Sequence, residues 1–556
     1  MNKKILLLSL IVLLGAALRL FQLGSIPAIL NRDEAALAYN GYLLSQTGKD
    51  EWGKIWPPTL ESFGDYKLPG YPLILAILFK FLPLSDGVVR LPSAFFGIIL
   101  IVVAFQLALH SKLLHRQAFH LATIIAVSPI FMFYSRIAFE ANVGLLLFLS
   151  SIWLLFFLEA KRYRWQLDLL GLFLSLLAIF TYNTPFLLLP FLVLPLPLIR
   201  GLKSWRDWTL PTTGLLAIFV IGLLVFMPIT SQKSAVTIFS DPTIWAHYLE
   251  YRNNLTGFSR LFSSKYFYYL PSLFKNLRAS LSADFVVFQG GTHPWHSLPN
   301  FGHLFLSSYL LGLIGLFWSL VEIVYYFYRV FKLKSKWQVL WQRLISLQPL
   351  IDNFDKLNRR RKFYSIKQEL ILVYFLLISL LPAIITVDAP HATRSLLFFF
   401  LLSIFAVIGL EDFYHWPIIH KHLHKESFLT WGVMIILAVE AVIYHHSYFV
   451  KYPTIQPDSL QVGFEQTVSN LEANYQDKQV AIVDSGGYHY ILTAWYAKIP
   501  PQIFFETVIK QLPNRIGFRY GQQVGNYHFI AEAADRSETE EVLVEWVGGK
   551  WQITEF

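Results

Sequence analysis

The sequence predicts an α-helical polytopic membrane protein with a small α/β domain at its C-terminal end. Three observations predict it. Apolar runs near the roughly 20-residue length that crosses a bilayer recur up to residue 445. Of the 556 residues, 55% are hydrophobic and only 15% are charged, against about 25% charged in soluble domains. From residue 446 the pattern changes to short alternating apolar segments separated by turn residues, as in a small mixed sheet.

Eleven spans are expected, at about 5–23, 88–109, 118–134, 141–158, 168–182, 186–199, 210–228, 303–326, 369–386, 395–411 and 428–445. The opening "MNKKILLLSLIVLLGAAL" has the charged start and small residues of a signal peptide. Its apolar run continues to Phe21 and ten more spans follow, so it reads as an uncleaved first helix. The stretch "PGYPLILAILFKFLPL" is apolar but short, and Lys80 and three prolines interrupt it. It reads as a helix lying in the membrane interface.

Charge sets the orientation. With the N-terminus in the cytoplasm, the cytoplasmic segments hold 23 of the 46 lysines and arginines in fewer than one hundred residues; the opposite face holds 22 in about 300. A net charge of +10 raises nucleic acid as a partner. The basic loop containing "LNRRRKFYSIK" instead falls beside anionic membrane lipid, and no nucleic-acid partner is expected. The absence of cysteine excludes disulfides, thiolate chemistry and Cys-ligated zinc. The expected organisation is a membrane module over 1–445, with external loops at 24–87 and 229–302, and an extracytoplasmic α/β domain over 446–556. A multi-pass protein of the cell membrane follows, N-terminus inside and C-terminus outside.

Polar residues gather at the external ends of the spans. Asp33 and Glu34 follow the first span, and "GDYKLPGYP" closes the same loop with Asp65 and Lys67. "YSRIAFEANVG" places Arg136 and Glu140 at an external turn, and "GGTHPWHSLPNFGH" brings His293 and His296. "TVDAPHATRSLLFF" puts Asp388, His391 and Arg394 in another turn, His391 and Arg394 spaced to share one helix face. Each has an ordinary reading beside a functional one. The acidic pair can simply open a helix, and Lys67 and Arg394 can be interfacial anchors. Arg136 with Glu140 can be a structural i, i+4 pair. Arg90 reads as an anchor of the second span, and His293 and His296 as loop histidines rather than a metal pair.

"RDEAALAYNGYLLSQTG", then "YKLPGYPLILAILFKFLPLSDGVVRLPSAF", then "FYSRIAFEANVGLLLF" resembles the opening of the GT-C superfamily of glycosyltransferases, in its protein O-mannosyltransferase and aminoarabinose transferase branch. "DAPHATRSLLFFFLLSIFAVIGLEDF" is similar to the His-x-x-Arg turn of many bacterial members. The resemblance covers about residues 1–445 and implies the GT-C fold. It also implies transfer of a mannose-like sugar from a polyprenyl-phosphate donor to a protein, lipid or glycan acceptor on the non-cytoplasmic face. It places the catalytic base on Asp33, with Glu34 as the second member of the acidic pair. Lys67, Arg136, Glu140, His293, His391 and Arg394 are the candidate contacts to donor and phosphate. A divalent metal is a possible cofactor by the same resemblance. The family's Glu-Lys-Pro-Pro stands here as Tyr66-Lys67-Leu68-Pro69, with an acid one place earlier at Asp65, so the role of the family's glutamate does not carry over.

The chemistry agrees with the resemblance. Cations hold a lipid phosphate at the membrane surface, and a carboxylate takes the proton from an acceptor hydroxyl. A lipid or polysaccharide transporter is the alternative; it predicts charges within several spans, whereas here they cluster at span ends. The odd number of crossings puts the C-terminus outside. A reporter active only in the cytoplasm is therefore expected to be silent after Phe556 and active after Lys367. The reverse pattern would overturn the orientation.

Overall fold

A computed structural model describes residues 3–332 and 366–556, apart from 112, 114, 159–162, 201–204, 227–235, 258–259, 261–262, 292–294, 416–425, 455–459 and 514–517. The chain opens with α1 (Lys3–Leu20), α2 (Arg32–Thr47) and a hairpin of β1 (Leu60–Ser62) and β2 (Asp65–Lys67). There follow α3 (Gly70–Leu78), α4 (Asp86–His110), α5 (His115–Val127), α6 (Pro129–Phe133) and α7 (Glu140–Ile152).

Among the described residues, eight helices are long and apolar enough to cross a membrane: Asp86–His110, Glu140–Phe157, Arg164–Thr181, Asp207–Val225, Leu306–Phe327, Ile366–Ile384, Thr393–Tyr414 and Leu429–Lys451. The other three expected spans are also helical but fall short for local reasons. α1 is 18 residues long and carries Lys3, Lys4 and Arg19. The third divides into α5 and α6 at Ser128, which is extended (ψ 144) because Pro129 disfavours a helical residue before it. The sixth divides into Asn183–Val193 and Leu196–Arg200.

The loop after α1 folds into a compact unit on the end of the helical bundle. Asn31 caps α2 by accepting from the N–H groups of Asp33 and Glu34, and Glu34 returns a bond to the Asn31 N–H, a reciprocal capping box. Gly48, left-handed at φ 68, ends the helix. α3 has nine residues, about 14 Å of helix at 1.5 Å each, too short for a hydrocarbon core of about 30 Å. It packs on α2 so closely that a Cβ on Gly41 would stand 2.7 Å from Leu75 Cβ.

Three buried arginines tie the helices to this loop. Arg90 of α4 pairs with Glu34 at 3.0 Å and donates to the carbonyls of Leu23, Pro27 and Ile29. Glu34 also accepts from the Ala138 N–H at 2.7 Å. Arg136 donates to the carbonyls of Leu18, Arg19, Gln22 and Ile26, so it satisfies the end of α1 and the turn beyond it. Arg19 donates to Ile125, Ala126 and Phe131 and covers the carbonyls freed at the α5–α6 break.

The C-terminal residues form a six-stranded sheet in the order β4-β5-β6-β3-β7-β8. Its strands are β3 (Val480–Val483), β4 (Ile509–Lys510), β5 (Gly521–Val524), β6 (Tyr527–Ile530), β7 (Val542–Val547) and β8 (Lys550–Glu555). β3 is parallel to both β6 and β7, and every other pair is antiparallel. The expected helix in "GYHYILTAWYAK" runs His489–Tyr496. The segment "RIGFRYG", expected as a strand, lies partly outside the described residues, and the strand begins at Gly521.

This domain is docked on the first loop through polar contacts. Asp86 accepts from Trp495 at 2.9 Å and Tyr496 at 3.1 Å, and Tyr39 donates to the Ile499 carbonyl. Glu51 is buried against Lys510 and the Tyr490 hydroxyl, each at 2.9 Å, and Lys510 sits 3.9 Å above the Trp52 ring. Of all these contacts the Glu34–Arg90 pair is the most enclosed. Replacing Arg90 with Met strands a buried carboxylate and is expected to cost about 3–5 kcal/mol. Detergent-solubilised Arg90→Met should unfold at lower temperature than wild type, and the double variant Glu34→Leu, Arg90→Met should recover part of the loss. An unchanged melting temperature in Arg90→Met would show that the pair does not hold the loop.

Candidate active site

The site begins at the head of α2. The capping box starts the helix at Arg32 and so places Asp33 in its first turn, where the helix dipole favours a negative charge. The β1–β2 hairpin reaches back over this point, turning at Phe63 and Gly64, both with positive φ. It delivers Lys67, whose Nζ lies 2.5 Å from Asp33 Oδ1 and 3.2 Å from Asp65 Oδ2. Glu140, the first residue of α7, stands within electrostatic reach of Lys67.

A second cluster faces this one from the turn before Thr393–Tyr414. Arg394 and Asp388 form an ion pair, and His391 Nε2 is 3.7 Å from Asp388. The His391 ring meets His296 edge-on at 4.9 Å between centroids. His296 shares a 2.6 Å hydrogen bond with Tyr134 and stacks on Phe139 at 5.4 Å. Tyr182, at the break between the fifth and sixth spans, feels both Arg394 and Glu140 and so bridges the two clusters. A carboxylate and two cations from separate elements thus converge at one end of the membrane module.

No family model matches the sequence, and a search of curated proteins finds no significant match. The fold has solved counterparts. The oligosaccharyltransferase of Archaeoglobus fulgidus, tethered with an acceptor peptide, aligns with a TM-score of 0.50 at 12% identity, over 89% of this chain and 63% of that one. The chain has the GT-C fold. It spans less than two thirds of that archaeal enzyme's length. ArnT from Cupriavidus metallidurans, bound to undecaprenyl phosphate, aligns at a TM-score of 0.48 and 12% identity, over 88% of this chain and 84% of that one. Archaeal AglB with an inhibitory peptide and a dolichol-phosphate aligns at 0.47 and 12%, over 89% and 64%.

Within this GT-C chain, Asp33, Lys67, Glu140, His391 and Arg394 occupy the two facing clusters. Two other expected site residues do not. Glu34 is 1% exposed, and its oxygens are taken by Arg90, the Ala138 N–H and Asn31. It shapes the helix start that carries Asp33 and has no face toward a substrate. Arg136 is fully buried with its fork spent on four carbonyls and on the Tyr448 hydroxyl. It is a structural clamp, and it makes no ion pair with Glu140 among the described residues. His293 lies outside the described residues. Among the described residues no group of three or more His, Asp or Glu side chains is placed to hold a metal ion. Tyr182 was missed in the sequence, although "TYNTP" is a polar interruption between two spans.

Burial pushes the Asp33 carboxyl up, but Lys67 and Arg32 outweigh it and leave it below the usual range. Burial pulls the Lys67 ammonium down, and Asp33, Asp65 and Glu140 together drive it above the usual range. A depressed carboxyl adds stability at neutral pH and loses it only as pH falls through the lowered value. A raised ammonium keeps its contribution until the pH passes its own raised value. The stability difference between wild type and Asp33→Asn is therefore expected to persist through neutrality and to close only below about pH 4. Unfolding curves collected across pH check this, and closure near pH 6–7 would contradict the depressed carboxyl.

Proposed function

We propose that this protein is a glycosyltransferase that moves a mannose-like sugar from a polyprenyl-phosphate carrier to an acceptor hydroxyl on the non-cytoplasmic face. The observation that carries the reading is the meeting of Asp33 with Lys67 opposite Arg394. It supplies a base and a phosphate cradle at one end of a helical membrane fold. The acceptor peptide named for the archaeal oligosaccharyltransferase supports an acceptor outside the lipid.

The step is a displacement at the anomeric carbon. Asp33 takes the proton of the acceptor hydroxyl as the new C–O bond forms. The bond from the anomeric carbon to the phosphate oxygen breaks, and its electron pair leaves on the polyprenyl phosphate. Lys67 and Arg394 stabilise that charge, Arg394 through a fork and Lys67 as a point charge. In the resting arrangement both cations are held by carboxylates, Lys67 by Asp33 and Asp65 and Arg394 by Asp388. A donor phosphate competes for them. When Lys67 turns to phosphate, Asp33 loses the largest influence holding its basicity down and becomes a better base in the presence of donor. Glu140, His391 and Tyr182 line the space between the clusters and orient the sugar.

Purified protein is expected to transfer sugar from a polyprenyl-phosphate sugar and to release free polyprenyl phosphate. Asp33→Asn should lower turnover by about 10²–10⁴-fold, the usual worth of general base catalysis, while still binding donor. Arg394→Ala should weaken donor binding instead. Transfer from a nucleotide sugar with no lipid present, or wild-type turnover in folded Asp33→Asn, would refute the assignment.

A further inference from the structure

Two helices between the seventh and eighth expected spans, Pro242–Asn254 and Tyr266–Ser280, carry a surface that the transfer chemistry above does not use. Their height relative to a bilayer follows from what holds them. Asn276 donates from Nδ2 to the carbonyls of Ile384 and Thr386, at 2.9 and 2.8 Å, where the helix Ile366–Ile384 ends. Tyr309, in the first turn of the helix that begins at Leu306, donates to the Leu281 carbonyl at 3.0 Å. Both anchors are ends of helices long and apolar enough to cross a membrane. The helix Tyr266–Ser280 therefore lies where a hydrocarbon core gives way to headgroups.

The second helix turns its apolar side outward. Tyr269, Asn276 and Ser280 are buried, whereas Phe267 and Phe274 are 65% and 66% exposed and Leu270 stands between them. Spacings of three, four and seven residues make these one stripe, which Arg278 continues. The first helix adds exposed Trp245, Leu249 and Tyr251. Between the two lies an open groove of about 520 Å³, walled by Tyr251, Leu255, Phe267 and Tyr268 with Ser263 and Ser264. From 242 to 280 there are five cations, Arg252, Arg260, Lys265, Lys275 and Arg278, and one acid, Glu250. Glu250 faces His247 at 4.0 Å, and none of the five cations forms an ion pair among the described residues. Arg260 donates from Nε to the Arg252 carbonyl at 3.4 Å, which gathers two of them. Lys265 Nζ lies 5.8 Å from the Trp245 ring centre and 5.6 Å from that of Tyr266.

We propose that this face binds the surface of a bilayer containing anionic phospholipid, with the headgroup phosphate of one such lipid seated in the groove. Phe267, Leu270 and Phe274 enter the acyl boundary, and the tyrosine and tryptophan rings sit at headgroup depth. Arg252, Arg260 and Lys265 meet the phosphate, each cation adding attraction to an anionic surface. Two observations choose this occupant. The stripe stands at the height of two span ends, where lipid is the neighbour. The cations beside it have no carboxylate of their own, so the complementary partner is negative. Asn276 also ties this face to Thr386, two residues before Asp388 of the second cluster, so lipid held here braces that turn. The assignment does not depend on the glycosyltransferase reading.

The chain has no cysteine, so full-length protein with Phe274→Cys takes a single fluorescent label. It is placed in phosphatidylcholine nanodiscs doped with phosphatidylglycerol or phosphatidylcholine that carries a nitroxide at the top of its acyl chain. At position 274 the nitroxide is expected to quench and aqueous iodide is not. A label on Glu538→Cys, an exposed acid of the C-terminal domain, should show the reverse. Nitroxide-phosphatidylglycerol should quench position 274 about tenfold or more effectively than nitroxide-phosphatidylcholine. Arg252→Gln, Arg260→Gln and Lys265→Gln combined should erase that difference and leave the label in lipid. The difference should also collapse in about 1 M salt, where charges are screened beyond about 3 Å. Iodide quenching at 274 as strong as at 538, or equal quenching by the two lipids, overturns the proposal. So does a difference that survives in the folded triple variant or, if that variant does not fold, in high salt. Protection of position 274 that appears only when a second protein copy shares the disc assigns the face to that copy and overturns it. Displacement of phosphatidylglycerol by a smaller amount of polyprenyl phosphate gives the groove to the carrier lipid and overturns it as well.

Discussion

The buried pair of Glu34 and Arg90 is the constraint on which this end of the helical bundle depends. Each charge is enclosed, so neither is tolerable without the other. Their remaining hydrogen-bonding capacity is taken up by backbone: three carbonyls of the chain leaving α1 for Arg90, and the Ala138 N–H for Glu34. One contact thereby joins the exit from α1, the start of α2, the body of α4 and the turn into α7. Because Glu34 also closes the capping box with Asn31, the pair decides where α2 begins. The placement of Asp33 follows from that, one residue away.

The same economy governs the other buried arginines. Arg19 and Arg136 lie near one another without a carboxylate between them among the described residues, and their donors go to carbonyls at the end of α1 and at the α5–α6 break. A break in a helix inside a membrane leaves backbone groups with no water to satisfy them. A fully buried guanidinium supplies several donors at once, and so the break at Ser128 is tolerated. These cations are part of the frame, in contrast to Lys67 and Arg394, which are only partly covered and are held by carboxylates.

The C-terminal domain is built into the site rather than appended to it. Asp86, Glu51 and Tyr39 of the membrane module are each buried against it, so the loop bearing Asp33 has a protein wall above it. The domain thus braces the loop that carries Asp33, and Tyr488, His489 and Gln461 line a narrow cleft with Asn31 and Arg32 at the head of α2.

Composition and periodicity alone determined the helical membrane class, the positions of the spans and the change to a small mixed sheet near residue 446. Those properties follow from transfer energies and repeat periods, which are local. The sequence also placed Asp33, Lys67, His391 and Arg394 near span ends, and the structure sets them in two clusters. It did not separate Glu34 from Asp33, or Arg136 from Arg394. Neighbouring acids differ only in which way the helix start turns them, and an arginine's role depends on whether carbonyls from distant segments exhaust its donors. Nor did it link Arg32 with Gln461 and His489, which lie more than 400 residues away. Only packing between the loop and the domain brings them together, because contacts between segments so far apart in sequence are properties of a place and not of a residue.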